Sequence, residues 1–394
     1  MSNNNHQTEA SDDGSAVAAK ARHIATVVCF ALVLVGLSVA FVVIPDAPFS
    51  RAERRALAQL PALTSSSILG GSYQEQFDTY AQDQFPWRDG FRTVNALFRR
   101  YVLQQKDYNG YYLADGQLSK IEYPLNTDTV KANAAWLDNI ASHYLAGMNV
   151  YYSIVPDKNY FLAAPNGYLS MDYQSLVDTV KQQMNHATYI DIFKDLSLAD
   201  YYRTDIHWRQ ESIAPVAQHL AQVMGVPIPS SDQCSNHTLA PFYGSFYRSA
   251  ALPVRPDQLN YCSNQYTDNA VVNVLNGQLD MTNTVSFDGA PLKLATYNPA
   301  LFDGIDSYDT FLAGAQAIVT IDVPNAKTDR QLIVFRDSFA SSLAPLLLGG
   351  YSKITLVDIR YISSRQLPNF VTFDNQDVLF LYSTSILNRS GLFQ

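Results

Sequence analysis

Leu332-Ile333-Val334-Phe335-Arg336-Asp337-Ser338-Phe339 runs four apolar residues straight into a charged pair and a serine, with small residues and Ala344-Pro345-Leu346 beyond. An unbroken apolar run of strand length belongs to a strand covered on both faces, the habit of a parallel sheet flanked by helices. In such sheets the carboxyl ends of the strands carry the site, so Ser338 stands where a nucleophile would be held. Backbone N–H groups at the start of a following helix could hold an oxyanion there. Serine is equally an ordinary helix cap, and this segment by itself leaves both roles open.

Working outward, β-rich runs alternate with helical patterns. Strands are expected at Val150–Val155, Thr188–Ile192, Ala317–Val323, Gln331–Phe335, Lys353–Ile359 and Asp377–Tyr382, and helices over Thr127–Met148, around Leu176–Val180 and over Glu211–Val223. Strand–helix–strand spacing predicts a mainly parallel sheet with helices on both faces, an α/β fold. Residues 231–300, rich in Asn, Tyr, Gly and Pro, read as a long irregular insertion. Trp87, Phe91, Val94, Leu97 and Phe98 recur at helical spacing after Pro86, and such a stripe is expected to pack on the domain. There is no internal repeat, Walker loop or dinucleotide glycine fingerprint.

The front of the chain sets the compartment. Residues 1–22 are polar and read as a tail without helical pattern, while Ile24–Ile44 gives 21 consecutive uncharged residues. At 1.5 Å per residue that is about 31 Å, enough to cross the hydrocarbon core. A cleavable signal would have a shorter apolar stretch before its small-residue site, and Ser38-Val39-Ala40 is weakly placed for one. The expected organisation is a disordered cytoplasmic tail over 1–22, a transmembrane anchor over 23–45, a linker over 46–72 with Pro48 and Pro61, and an extracytoplasmic domain over 73–394. Lys20 and Arg22 on one side, against Arg51, Arg54 and Arg55 on the other, leave the positive-inside rule undecided. The short tail before a long globular region sets the expected orientation. Cys29 lies in the span, leaving Cys234 and Cys262 as a candidate disulfide, stable only outside the cytoplasm, or as two separate buried thiols.

Composition narrows the class. Lys and Arg number 27 against 36 Asp and Glu, a net charge of −9 that excludes a general nucleic-acid or anionic-membrane binder. Charged residues are 16% and aromatics 12%, the mark of a core-forming chain and not a disordered one. Three cysteines exclude a disulfide-stapled miniprotein and a multi-cysteine zinc module.

A second candidate group lies in Tyr201-Tyr202-Arg203-Thr204-Asp205-Ile206-His207-Trp208. An acid two residues before a histidine on a loop can bond one ring nitrogen and leave the other free as a general base. No second His or Cys lies at ligand spacing, so no metal is assigned. An Asp–His pair capping a helix from Gln210 is the plainer alternative. A serine needing a base, and a base carrying its own orienting acid, make a triad if the fold joins them.

The order of Phe85-Pro86-Trp87-Arg88-Asp89, Val155-Pro156-Asp157-Lys158, Tyr202 to Trp208, Tyr308-Asp309-Thr310-Phe311-Leu312, and Arg336-Asp337-Ser338-Phe339 followed by Val357-Asp358-Ile359-Arg360-Tyr361 resembles the DHHW protein family. These are relatives of the alginate O-acetylation proteins with an SGNH/GDSL-hydrolase-like, flavodoxin-like three-layer fold. The match runs over about residues 50–385, with Ile206 where the family name spells its first histidine. The resemblance implies Ser338 as nucleophile, His207 as general base and Asp205 as its orienter, with no cofactor. Arg360, Lys158 and Asp337, near strand ends, are candidate substrate contacts, with a surface ion pair as the alternative for Arg360 and Lys158. Tyr243, Gly244, Ser245 and Tyr247 would line a carbohydrate cleft or form an ordinary Tyr-rich loop, and Trp208 would be a sugar platform or packing for the histidine loop. The implied function is a membrane-anchored extracytoplasmic O-acetyltransferase acting on a cell-surface or exported polysaccharide. A separate multi-span membrane O-acyltransferase would deliver the acetyl group. An acetylesterase on the same polymers, or a non-catalytic carbohydrate-binding or assembly scaffold, remain open.

Overall fold

The apolar run at 332–335 lies inside an eight-stranded sheet in the computed structural model of the protein, which describes residues 6–50, 55–230, 233–275, 278–279, 285–286 and 292–393. Arg51 and Arg54 lie outside the described residues. Two units make up the chain, residues up to 50 with 55–94 and the remainder.

In the first unit α1 spans His6–Val43 and α2 spans Ser72–Asp83, while α3, Arg88–Leu97, leads into the second. Residues Val17–Val43 are long and apolar enough to cross a membrane, and none of the most apolar stretch is buried in the protein. The helix begins at His6, not at the edge of the apolar stretch, which corrects the reading of 1–22 as an irregular tail. Ala18, Ala19 and Ala21 are strong helix formers next to an already nucleated helix, so propagation costs little there. The linker also holds local structure, with Phe49–Ser50 paired to Arg55–Ala56 and a short helix Ser65–Leu69 capped by the Thr64 hydroxyl.

The second unit contains, in chain order, α4 (Thr127–Tyr144), β1 (Asn149–Val155), α5 (Tyr173–Gln183), β2 (Thr188–Tyr189), α6 (Ala214–Val223), β3 (Ser235–Phe242), α7 (Ser245–Ala250), β4 (Asp257–Ser263), β5 (Val271–Val274), β6 (Leu292–Leu294), β7 (Ile318–Asp322), β8 (Gln331–Arg336), β9 (Lys353–Val357) and β10 (Asp377–Ser383). The sheet order is β6-β5-β7-β9-β8-β10-β1-β2, parallel from β9 through β2 and antiparallel from β6 through β9. On β8, Leu332 and Val334 join a core with Val216, Ala217 and Leu220 of α6, while Ile333 and Phe335 join another with Val130 and Leu137 of α4 and Leu176 of α5. This is the expected three-layer α/β fold. At about 1.5–3 kcal/mol for each buried Val or Leu side chain, the two cores make the strand ends a rigid platform.

Two expectations are corrected. The insertion is not irregular throughout, since it supplies the β3–β4 hairpin and the edge strands β5 and β6. Polar contacts link the two strands, His237 with Ser263 at 2.9 Å and Thr238 with Asn260 at 2.7 Å, beside the apolar pair Leu239 and Leu259, so the strands carry little apolar alternation to read. Of the stripe expected to pack, Leu97 lies against a core with Ala96, Leu118 and Phe246, while Trp87, Phe91, Val94 and Phe98 are exposed.

Candidate active site

Ser338 sits two residues past the end of β8, on a turn fastened from both sides. The Asp337 carboxylate accepts from the Phe339 N–H at 3.0 Å and from the Ser383 N–H at the end of β10 at 2.7 Å. Arg336, fully buried, donates to Ser341 Oγ at 3.0 Å and to the Gly314 carbonyl at 3.1 Å. Ser338 itself is partly exposed. Of the N–H groups at this turn, that of Phe339 is taken by Asp337, those of Ala340 and Ser341 by the carbonyls of Asp337 and Ser338. The Ser338 N–H donates to none of the described residues, so it remains available for an oxyanion.

The loop from Tyr202 brings His207 to it. Tyr202 N–H donates to the His207 carbonyl at 3.1 Å, closing a tight turn that holds Asp205 and His207 side by side. Asp205 Oδ1 accepts from His207 N–H at 3.0 Å and from His207 Nδ1 at 2.6 Å, and His207 Nε2 lies 2.7 Å from Ser338 Oγ. A carboxylate only accepts, so Nδ1 carries the proton and Nε2 offers its lone pair to the serine hydroxyl. The imidazole stacks on the Tyr308 ring with centroids 3.8 Å apart and planes within 5°. Burial raises the Tyr308 phenol well above its usual range, so it stays neutral and donates to Ser342 Oγ at 2.8 Å.

The inserted hairpin grips this loop. Asp257 at the start of β4 accepts from the N–H groups of Arg203 (2.9 Å) and Thr204 (2.7 Å) and from the Thr204 hydroxyl (2.6 Å). Between β3 and α7, Gly244 N–H donates to Thr204 Oγ1 at 3.1 Å and Ser245 N–H donates to Asp205 Oδ2 at 2.6 Å. Cys234 and Cys262 are joined in a disulfide, with Cα atoms 5.5 Å apart, and the Cys262 N–H donates to Gln210 Oε1 at 3.0 Å. Sequence reasoning assigned no role in the triad to Gly244, Ser245, Asp257 or Tyr308. Tyr308 is visible only as part of a motif, Gly244 and Ser245 only as part of a possible carbohydrate cleft, and Asp257 carries no local signal.

Three candidate substrate contacts are buried scaffold instead. Lys158 is 1% exposed, and its Nζ donates to the carbonyls of Leu118 (2.5 Å), Tyr202 (2.7 Å), Arg203 (3.2 Å) and Asp205 (3.3 Å). It staples the loop that carries Asp205 and His207, and burial pushes its ammonium down to about 7. Trp208 is fully buried and donates to Ser342 Oγ at 2.9 Å, so it is packing and not a sugar platform. Asp337 is also buried, engaged as described above. Lys158→Met would leave several buried carbonyls without a donor. At about 1–3 kcal/mol for a buried unsatisfied group, it is expected to cost roughly 3 kcal/mol, read as a lowered thermal midpoint. An unchanged midpoint would remove the staple role. Arg360 forms a two-pronged pair with Asp358 at 2.8 and 2.6 Å, and Tyr243, half-buried, lies against Tyr247 with ring centroids 4.7 Å apart.

With serine, histidine and aspartate aligned on a sheet of this topology, the chain can be set beside known proteins. Residues 179–357 match the family described as DHHW protein. That span holds Asp205, His207, Gly244, Tyr308 and Ser338, while Lys158 and Arg360 lie outside it. Among solved structures, a DHHW family protein from Eubacterium siraeum is 19% identical with a TM-score of 0.55, covering 73% of this chain and 97% of its own. Bacillus cereus PatB1 with a sulfonyl adduct is 16% identical with a TM-score of 0.55, covering 72% of this chain and 97% of its own. A second PatB1 structure is 14% identical with the same TM-score, covering 72% and 98%. At these identities the likeness is one of fold. No curated protein matches the chain in sequence.

Proposed function

We propose that the protein is a membrane-anchored, extracytoplasmic O-acetyltransferase that works on a polysaccharide through an acyl enzyme on Ser338. The reading is carried by one observation, the continuous chain Asp205 Oδ1, His207 Nδ1, His207 Nε2, Ser338 Oγ at 2.6 and 2.7 Å. The DHHW match over this loop and strand supports it, as does the apolar stretch Val17–Val43 for the anchor.

In the first half-reaction Ser338 Oγ attacks the acetyl carbonyl while its proton passes to His207 Nε2. The oxyanion takes a hydrogen bond from the Ser338 N–H. Collapse breaks the bond to the donor's leaving oxygen, which receives the proton from His207, and leaves acetyl-Ser338. In the second, His207 takes the proton of a sugar hydroxyl, whose oxygen attacks the acetyl carbon. The new ester leaves and Ser338 regains its proton. Asp205 holds the imidazole in orientation and offsets its positive charge at each step. Tyr243 and Arg360 are the proposed polymer contacts, and a multi-span membrane O-acyltransferase the proposed source of acetyl groups.

The test is to incubate the purified full chain with a chromogenic acetyl ester, beside Ser338→Ala, and follow intact mass. One added acetyl group on the parent and none on Ser338→Ala is expected, and a sulfonyl fluoride should modify the same pair in the same pattern. Adding polysaccharide then decides between transfer to sugar and hydrolysis. A folded protein that takes up neither reagent would sink the acyl-enzyme reading and leave the carbohydrate-binding scaffold.

A further inference from the structure

The first unit carries an exposed apolar face that the acyl chemistry does not use. Phe85 is 39% exposed, Trp87 64%, Phe91 50% and Val94 63%. Phe91 and Val94, three residues apart, share one side of α3, Phe85 in the turn before it meets the Phe91 ring edge-on at 5.7 Å between centroids, and Trp87 lies in that same turn with φ of 55°. Rings of this kind, with one tryptophan among them, are the composition of side chains that settle at a membrane–water boundary. Arg88 and Arg92 on the same helix face Asp89 at 3.7 and 3.6 Å, and the stripe itself carries no charge.

The decisive observation is where this face starts. The Phe41 ring, in the last turn of the apolar span, meets the Tyr80 ring edge-on at 5.6 Å between centroids. Tyr80 OH donates to Asp46 Oδ1 at 3.1 Å. Gln84 clasps Ala47 in both directions, accepting from its N–H at 3.0 Å and donating to its carbonyl at 3.0 Å. The end of α2 is thus fastened to the residues immediately after the span. Trp87 follows Gln84 by three residues, so its backbone is within roughly 11 Å of Gln84's. The interfacial layer on each side of a bilayer core is itself some 5–7 Å thick. A face anchored within that reach of the end of the span can lie level with the interfacial layer.

We propose that the corner at Phe85–Trp87 and the following turns of α3 lie in the interfacial layer of the bilayer that α1 crosses, with Trp87, Phe91 and Val94 against the acyl boundary. The proposal rests on the anchor reading above. The net charge of −9 opposes general adhesion to anionic lipid, so the contact is made through this stripe and not through the surface at large. Its consequence is a fixed height: the first unit becomes a collar that holds the chain leaving the membrane against the bilayer surface.

The two readings can be tested separately in one preparation. Cys29, within α1, is the free cysteine of the described residues, with Cys234 and Cys262 paired, so a fluorescent thiol label marks the span without any substitution. The full chain so labelled is placed in nanodiscs of phosphatidylcholine and phosphatidylglycerol carrying a nitroxide either near the headgroups or near the chain ends. The deep nitroxide is expected to quench the Cys29 label, and the shallow one to quench tryptophan emission. Trp87→Phe, which leaves Trp136 and Trp208, should lose most of that shallow quenching. A quenched Cys29 label with equal tryptophan quenching in parent and Trp87→Phe would overturn the interfacial placement while keeping the anchor, and would point to a protein partner on the stripe. An unquenched Cys29 label would overturn the anchor and the placement with it.

Discussion

Asp205→Asn is expected to lower kcat for acetyl-ester turnover by about 10⁴, the scale seen when a triad acid becomes an amide, with KM changed little. The side chain at 205 faces three N–H donors, the backbone and ring of His207 on Oδ1 and Ser245 on Oδ2. An amide has one accepting atom and one donating group, so no orientation of Asn satisfies both ends. If its NH2 faces His207, the imidazole must accept there, its proton moves to Nε2, and Ser338 loses its base. If the NH2 faces Ser245, two N–H groups confront each other at the 2.6 Å now spanned by a hydrogen bond. The volume is almost unchanged, so circular dichroism and the thermal midpoint should show a folded protein. Activity within tenfold of the parent would remove Asp205 from the mechanism.

Much of this arrangement was legible before the fold was seen, and the parts that were not share a cause. The strand into Ser338 and the Asp-x-His loop are local signals: apolar continuity reports burial on both faces, and a spacing of two reports a carboxylate that can fold back on its own histidine. The expected β1, β7, β8, β9 and β10 fall close to their observed bounds for the same reason. What failed were inferences from polarity to exposure. Lys158 and Asp337 read as surface contacts because charged side chains usually are, yet each is buried on partners contributed by distant segments. Lys158 needs carbonyls from residues 118 and 202–205, and nothing in Val155-Pro156-Asp157-Lys158 announces them. The converse holds for Trp87, Phe91 and Val94, whose apolar periodicity points to a core while the side chains stand exposed. The polar pairs of β3 and β4 hid a hairpin, and with it the contacts that the insertion makes to Asp205.

Those contacts lead to the second large effect, at Gly244. Its φ of −79° and ψ of −178° are open to any residue, so glycine is not there for backbone freedom. It is there for space, because a Cβ would lie 2.2 Å from Asp205 Cβ, 2.5 Å from its Cα and 2.6 Å from Oδ2. Neither atom group can yield easily, since Asp205 is fixed by His207 and Ser245 and its carbonyl by Lys158. Gly244→Ala must therefore move the triad acid or lift the hairpin away from it. A displacement near 1 Å costs catalysis about 10²-fold, and that is the fall in kcat expected here. Because the same change could also loosen the fold, the thermal midpoint is read beside kcat. If Gly244→Ala keeps parental kcat, the hairpin supports the fold alone, and the grip on Asp205 has no part in the chemistry.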